Sequence, residues 1–243
     1  LQIGCMSIYS TTYSFDANPV NQLATQESIQ EFVIECKKNF IAMFGGNISK
    51  NPDYTSIIND RHQKRIQEIL ADAQEKGAQI IECSAYDVEK DGRRMPVHIV
   101  LNCSPQMRIM KEELFGPVLP VVSYDTLDEA IKYIKADERP LALYCFSHSS
   151  SELDTILKQT HSGGVTINDW GWHVVNHDAP FGGIGNSGMG TYHGEEGFRE
   201  LSHAKTVFSR HRFFPTQLFY APYGSWIQKQ TMKFFLKKGD PTL

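Results

Sequence analysis

Gly183, Gly185 and Gly188 fall at G-x-G-x-x-G spacing inside the stretch 176–197, NHDAPFGGIGNSGMGTYHGEEG. At that spacing backbone amides can approach a pyrophosphate, because glycine carries no Cβ to hold the ligand off. A stand-alone dinucleotide-binding protein is one function this allows. The fingerprint also needs an apolar strand running into the first glycine, a helix opening at the last, and an acidic residue about twenty positions on. Residues 176–181 are instead polar and broken by Pro180, and 204–208 carry no carboxylate. Thiol chemistry is the second possibility. Cys5, Cys36, Cys83, Cys103 and Cys145 are odd in number and show no C-x-x-C spacing, so neither a disulfide framework nor a metal site is expected. A reducing, cytoplasmic compartment fits this cysteine usage.

The elements that position these groups follow from periodicity. From Ser28, apolar residues Ile29, Phe32, Val33, Cys36, Phe40 and Phe44 recur at helical spacing up to Gly45. A second helix runs from Asn59 or Asp60 to Gly77 with Ile66, Ile69, Leu70 and Ala73 on one face. Residues 78–83 read as a buried strand and 97–101 as another, while 11–26 read as loop. Then 118–123 is a strand, Thr126 with Glu129 opens a helix, 141–146 is a strand, Ser149 with Glu152 opens a helix, and 165–168 is a strand. This β-α-β-α-β alternation predicts an α/β fold with a parallel sheet flanked by helices. Sites in such sheets collect beyond the carboxyl ends of the strands, where the last strand would deliver the glycine loop. A short helix is expected over 193–203, a basic extended segment over 206–213, and an aromatic, basic tail over 226–238.

A chain of 243 residues can bury roughly seven tenths of its unfolded surface. A net charge of −4 and a pI near 6.1 give no global attraction to nucleic acid or to an anionic membrane. No run of about eighteen apolar residues is present, so no transmembrane segment is expected. The first residues lack the pattern of a signal peptide, and a start at Leu1 raises the expectation of a piece of something longer.

Two long stretches narrow the reading. KEELFGPVLP at 111–120, followed by a β-α-β pattern, and PFGGIGNSGMGTYHGEEGFRELSH at 180–203 resemble the aldehyde dehydrogenase superfamily, near its coniferyl-aldehyde and fatty-aldehyde branch. NPDYTSIINDRH at 51–62 and RPLALYCFS at 139–147 extend the resemblance, which covers about residues 28–208. It implies a three-layer α/β/α catalytic domain with a mostly parallel sheet at 1–205, and an oligomerisation strand and tail at 206–243. It further implies oxidation of an aldehyde, hydrophobic or aromatic if the pocket walls are aromatic, to an acid with NAD or NADP. The route is thiolate attack, hydride transfer and hydrolysis of a thioester.

Carried over residue by residue, the resemblance makes Glu113 the carboxylate that accepts from the nicotinamide ribose and Phe115 the ring beside it. Phe181 becomes a substrate-pocket aromatic, His177 a neighbour at the pocket mouth or a plain surface histidine, and Asn168 a brace of the catalytic loop. The family's nucleophile lies in Gly-Gln-x-Cys; the sequence here is Leu1-Gln2-Ile3-Gly4-Cys5-Met6-Ser7-Ile8, which makes Cys5 the matching thiol with Gly4 out of order. A chain-end cysteine without a role is the alternative. Cys36, Cys83 and Cys145 read as core residues. No motif in these residues matches the family's own dinucleotide-binding domain, its general-base glutamate or its oxyanion-stabilising asparagine. The isolated chain is therefore expected to oxidise aldehydes weakly or not at all. The resemblance implies a homo-oligomer; a catalytically dead partner or regulatory subunit that associates with a complete subunit is the rival reading.

Overall fold

The computed structural model describes residues 2–4, 22–25, 28–49, 51–85, 92–212 and 220–236, of which 2–4, 22–25, 235 and 236 are described by backbone alone. The chain divides into two units, Leu1–Ser202 and His203–Leu243. The first is built on a seven-stranded sheet of β1 (Gln2–Gly4), β2 (Gln22–Thr25), β3 (Gln79–Glu82), β4 (His98–Leu101), β5 (Val118–Tyr124), β6 (Ala142–Phe146) and β7 (Gly164–Ile167), in the order β3-β4-β5-β2-β1-β6-β7. The ladders β2/β5, β4/β5 and β6/β7 are parallel. β1 runs antiparallel to both neighbours and β3 antiparallel to β4. Every strand except β1 and β3 therefore points the same way.

Side chains alternate across a strand, so the sheet sorts its helices by residue parity. Ile99 and Leu101 on β4, with Leu119 and Val121 on β5, pack with Ile29, Phe32, Val33 and Phe40 of α1 (Ser28–Phe44). Val100 and Val118 face the other way, into Ile66, Ile69 and Ala73 of α2 (Asp60–Glu75). On that same side Tyr124, Leu143 and Cys145 meet Ala130 and Ile131 of α3 (Leu127–Ala136) and Ile156 of α4 (Ser150–Gln159). Helices thus cover both faces, which is why β4 is buried along its whole length.

The caps legible in the sequence are formed. Thr126 and Glu129 close a reciprocal box on α3, and the Ser149 hydroxyl accepts from the Glu152 amide on α4. Asn59 caps α2, accepting from the His62 amide at 2.8 Å, and the helix stops where Gly77 turns to φ +93°.

Two expectations are corrected, and the strand order adds a third point. Residues 22–25, read as loop, form β2, a central strand whose pairing to β1 and β5 decides its conformation over weak local signals. Residues 79–82 form an edge strand with exposed ends, held by β4 on one side only. β5 and β6, consecutive in the alternating pattern, are not neighbours, because β2 and β1 lie between them.

The second unit carries α7 (Trp226–Leu236), with Ser225 and Gln228 bonded reciprocally at its start and Gln228 Nε2 donating to the Tyr220 carbonyl at 3.0 Å. Among the described residues no helix is long and apolar enough to cross a membrane.

Buried His98 gives the fold a pH dependence. It is 4% exposed, its Nδ1–H donates to the Pro96 carbonyl at 2.7 Å, and Glu82 lies 3.7 Å from Nε2. Burial holds its pKa below the ordinary 6.5, against the opposing pull of the Pro96 carbonyl and Glu82. The unfolded chain then binds the proton more readily, so stability should be full above about pH 6.5 and fall as pH drops toward the folded value, by up to about 1.4 kcal/mol per pH unit. Urea melts across pH 7 to 5 should show this slope, and His98→Gln should flatten it. An unchanged slope in that variant would refute the assignment.

Candidate functional site

The loop between a short 3-10 turn (Arg108–Met110) and β5 carries Glu113 and Phe115. Leu114 anchors it, its side chain 4% exposed in the α2 core. Its neighbours are less buried: Glu113 is half-buried and Phe115 is 48% exposed. Phe115 has φ +45°, a left-handed backbone that a bulky residue holds only when its surroundings impose it. α2 imposes it. Arg65 Nη2 donates to the Leu114 carbonyl at 2.7 Å, and His62 Nε2 contacts the Phe115 carbonyl at 2.7 Å. The Phe115 carbonyl can only accept, so His62 carries its proton on Nε2. The two rings meet edge-on with centroids 6.2 Å apart.

At the far end of β7, Asn168 ties two strand ends together. Its Oδ1 accepts from the Ser147 amide at 2.8 Å, its Nδ2 donates to the Ser147 carbonyl at 3.0 Å, and its own amide donates to Cys145 at 2.7 Å. A left-handed φ of +56° turns the chain at this point. The short helix α5 (Trp172–Val175) then runs back over β7, so the glycine loop does not stay beyond the carboxyl ends as expected. It lies at the amino ends: Gly182 abuts Gly163, Gly185 faces Arg139, and Asn186 Nδ2 donates to Glu138 at 2.5 Å. The 113–115 loop sits at that same end, before β5, four strand spacings or roughly 19 Å across the sheet from β7.

On the sheet face that α1 covers elsewhere, an aromatic cluster forms. Phe181, 9% exposed, is fixed by a two-bond bridge to Tyr192, with N–H to carbonyl distances of 2.8 and 2.9 Å. Its ring meets Tyr192 edge-on at 5.4 Å, His193 at 6.4 Å and His173 at 5.9 Å; His173 in turn meets Tyr144 at 5.9 Å. His177 is exposed and joins through His193, with centroids 4.9 Å apart. The Thr166 hydroxyl accepts from the His173 amide at 3.4 Å, which leaves its proton for His173 Nδ1 at 2.7 Å and makes Nε2–H the favoured tautomer. Burial lowers the His173 pKa, so the ring stays neutral near pH 7. His173 Nε2 and His193 Nδ1 are buried without a hydrogen-bond partner. Tyr144 and Thr166 were missed in the sequence; the clue was strand parity, since Leu143, Cys145 and Val165 belong to the opposite core.

β1 runs against its neighbours, so its carboxyl end at Gly4 points toward the amino ends, in the interval between the two loops. Cys5 lies outside the described residues. At the other thiols the reactive thiolate is disfavoured: burial pushes Cys36 up to about 12 and Cys83, Cys103 and Cys145 up to about 11. Among the described residues no cluster of three or more His, Cys, Asp or Glu could hold a metal ion.

The glycine loop does not fit a phosphate. A Cβ on Gly182 would come closer than 3.0 Å to the Gly190 carbonyl oxygen, and one on Gly183 equally close to that of Ser187. At Gly182 and Gly183 that space is filled by the chain's own carbonyls, whose partial negative charge repels an anion. No helix opens at Gly188; the next, α6 (Gly194–Glu200), begins six residues later. The 113–115 loop instead offers a half-buried carboxylate and an exposed aromatic ring.

The aldehyde dehydrogenase family profile matches residues 18–207. The chain is 45% identical over 215 residues, 88% of its length, to a probable coniferyl aldehyde dehydrogenase of Pseudomonas aeruginosa, of which it covers 44%. It is 39% identical over 184 residues, 75% of its length, to the dimeric NADP-preferring aldehyde dehydrogenase of Mus musculus, covering 39% of that protein. Among solved structures, the substrate-bound state of Staphylococcus aureus AldH superposes with a TM-score of 0.76 at 30% identity, over 89% of this chain and 45% of that one. The chain thus spans less than half the length of these relatives. With the motif loops and the three-layer sheet in place, it belongs to the aldehyde dehydrogenase family.

Proposed function

We propose that this chain is the catalytic portion of a longer NAD- or NADP-dependent aldehyde dehydrogenase that converts a hydrophobic or aromatic aldehyde and water to the carboxylic acid. The observation that carries this reading is the pairing of two loops at one end of the sheet: the strained, outward-facing Glu113–Phe115 turn and the Phe181 cluster, with the carboxyl end of β1 directed between them. Cys5, following that end, forms the C–S bond to the aldehyde carbon as a thiolate and leaves again when water hydrolyses the thioester. The nicotinamide, when bound, supplies the hydride acceptor. Glu113 accepts from the ribose hydroxyls and Phe115 flanks the ring. Phe181 walls the aldehyde site, His177 lies at its mouth, and Asn168 braces the strand ends below it. Aromatic walls, and the likeness to a probable coniferyl aldehyde dehydrogenase, favour an aromatic aldehyde. Free, high-pKa thiols among the described residues suit a reducing cytoplasm.

The test compares the 243-residue chain with the full-length gene product. The chain alone should give no steady NADH or NADPH from coniferyl aldehyde, the full-length protein should, and Cys5→Ala should abolish it. Steady turnover by the chain alone that depends on Cys5, or full activity of Cys5→Ala in the longer protein, refutes the reading.

Residues after Lys205 are proposed to make the subunit contact of a homo-oligomer. Val207 and Phe208 are 79% and 76% exposed in a segment with no helix or strand of its own. Truncation at Lys205 should lower the sedimentation coefficient from an oligomer's to a monomer's; an unchanged value counts against the contact.

A further inference from the structure

We infer that His62 is a positioning residue for the cofactor, acting through the backbone of the Glu113–Phe115 turn; this rests on the reading of that turn as the nicotinamide-riboside site. Three consecutive residues of the turn are held by one face of α2. Arg65 binds the Leu114 carbonyl, His62 binds the Phe115 carbonyl, and Ile66 packs against the bare Cα of Gly116, where an added Cβ would come 3.0 Å from Cδ1. His62 does most to fix the outward residues. It grips the carbonyl of the one turn residue with a left-handed φ, and its ring packs against that residue's side chain. Its own backbone is pinned by the Asn59 cap at 2.8 Å. The imposed conformation turns Phe115 outward from buried Leu114 and fixes the Phe115–Gly116 peptide. Releasing the carbonyl lets residue 115 relax toward a negative φ, which swings its ring away while Leu114 stays anchored in the core.

The experiment uses the full-length gene product and direct NAD and NADP titration by intrinsic fluorescence, beside steady-state kinetics and thermal melts. His62→Asn, whose amide is too short to reach the carbonyl, should raise the cofactor Kd about five- to tenfold and leave the aldehyde KM within about twofold. His62→Gln, whose amide nitrogen overlays Nε2, should restore the wild-type Kd. In a Phe115→Ala background, the effect of His62→Asn should shrink to under about twofold, because His62 acts through the placement of that ring. If Glu113→Ala weakens the cofactor and His62→Asn does not, the positioning role is wrong and the function stands. If Glu113→Ala leaves Kd unchanged, the riboside reading fails first. A His62→Asn variant that loses thermal stability and aldehyde affinity alike, unrescued by Gln, marks His62 as merely structural and overturns the inference.

Discussion

Gly182→Ala is expected to lower aldehyde kcat/KM by more than about a hundredfold in the full-length protein while leaving cofactor affinity within a few-fold. The added Cβ would fall closer than 3.0 Å to the Gly190 carbonyl oxygen and 3.1 Å from Thr191 Cα. Both obstacles are backbone, so no side-chain rotation relieves them. The Gly182 carbonyl itself fills the place where a Cβ on Gly163 would stand, so three backbone segments are stacked with no slack. The strain has one outlet, the adjacent Phe181–Tyr192 bridge, whose two hydrogen bonds contribute about 1 kcal/mol each. Breaking the bridge and overpacking the loop together cost about 3 to 5 kcal/mol locally. Phe181 leaves its place against His173, and the proposed aldehyde wall goes with it. Gly185→Ala is the control. Its Cβ meets nothing nearer than Arg139 at 3.9 Å, so only the φ of +70° is charged, about 1 kcal/mol. A phosphate cradle would invert this order, making Gly183, Gly185 and Gly188 critical for the cofactor and Gly182 neutral. Titration and kinetics on the two variants separate the readings, and an aldehyde kcat/KM within twofold of wild type for Gly182→Ala defeats the packed-loop account.

What the sequence showed of this fold was local. α1, α2, α3 and α4 were legible because period and capping residues are contained within each segment, as Thr126 with Glu129 and Asn59 before α2 illustrate. β2 was not, because nothing within Gln22–Thr25 distinguishes it from loop; its strand state is imposed by β1 and β5 on either side. Strand order was hidden for the same reason, since a β-α-β pattern fixes crossover sense but not what is inserted between the strands. The site followed suit. Glu113 and Phe115 stood out by motif, yet the groups that hold them, His62 and Arg65, are about fifty residues earlier and have no local mark of the contact. In the glycine loop, spacing says that small residues are needed, and only the three-dimensional path says that what approaches Gly182 and Gly183 is another stretch of backbone.

Ile66→Ala is expected to be among the most destabilising single changes in the first unit, and to damage the cofactor turn as well. Ile66 is 0% exposed, packed among Ile69, Val100, Met107, Ile109 and Val118. Truncating a fully buried isoleucine to alanine costs about 2 to 5 kcal/mol, combining lost transfer energy with a residual cavity. Against a typical total of about 5 to 15 kcal/mol this is a large fraction, and for a chain of this size it lowers the melting temperature by roughly 4 to 20 °C. Ile66 also walls the turn, its Cγ1 and Cδ1 lying 3.1 and 3.0 Å from where a Gly116 Cβ would be. Two neighbouring substitutions separate these roles. Ile66→Val removes Cδ1 alone and should cost about 0.5 to 1.5 kcal/mol. Gly116→Ala in the wild type should be harmful because the new methyl and Cδ1 compete for one space. Together they should be less damaging than their sum, with a coupling of about 1 kcal/mol in thermal or urea melts. Strict additivity would mean that Gly116 is small for another reason, and that α2 supports the turn only through Arg65 and His62.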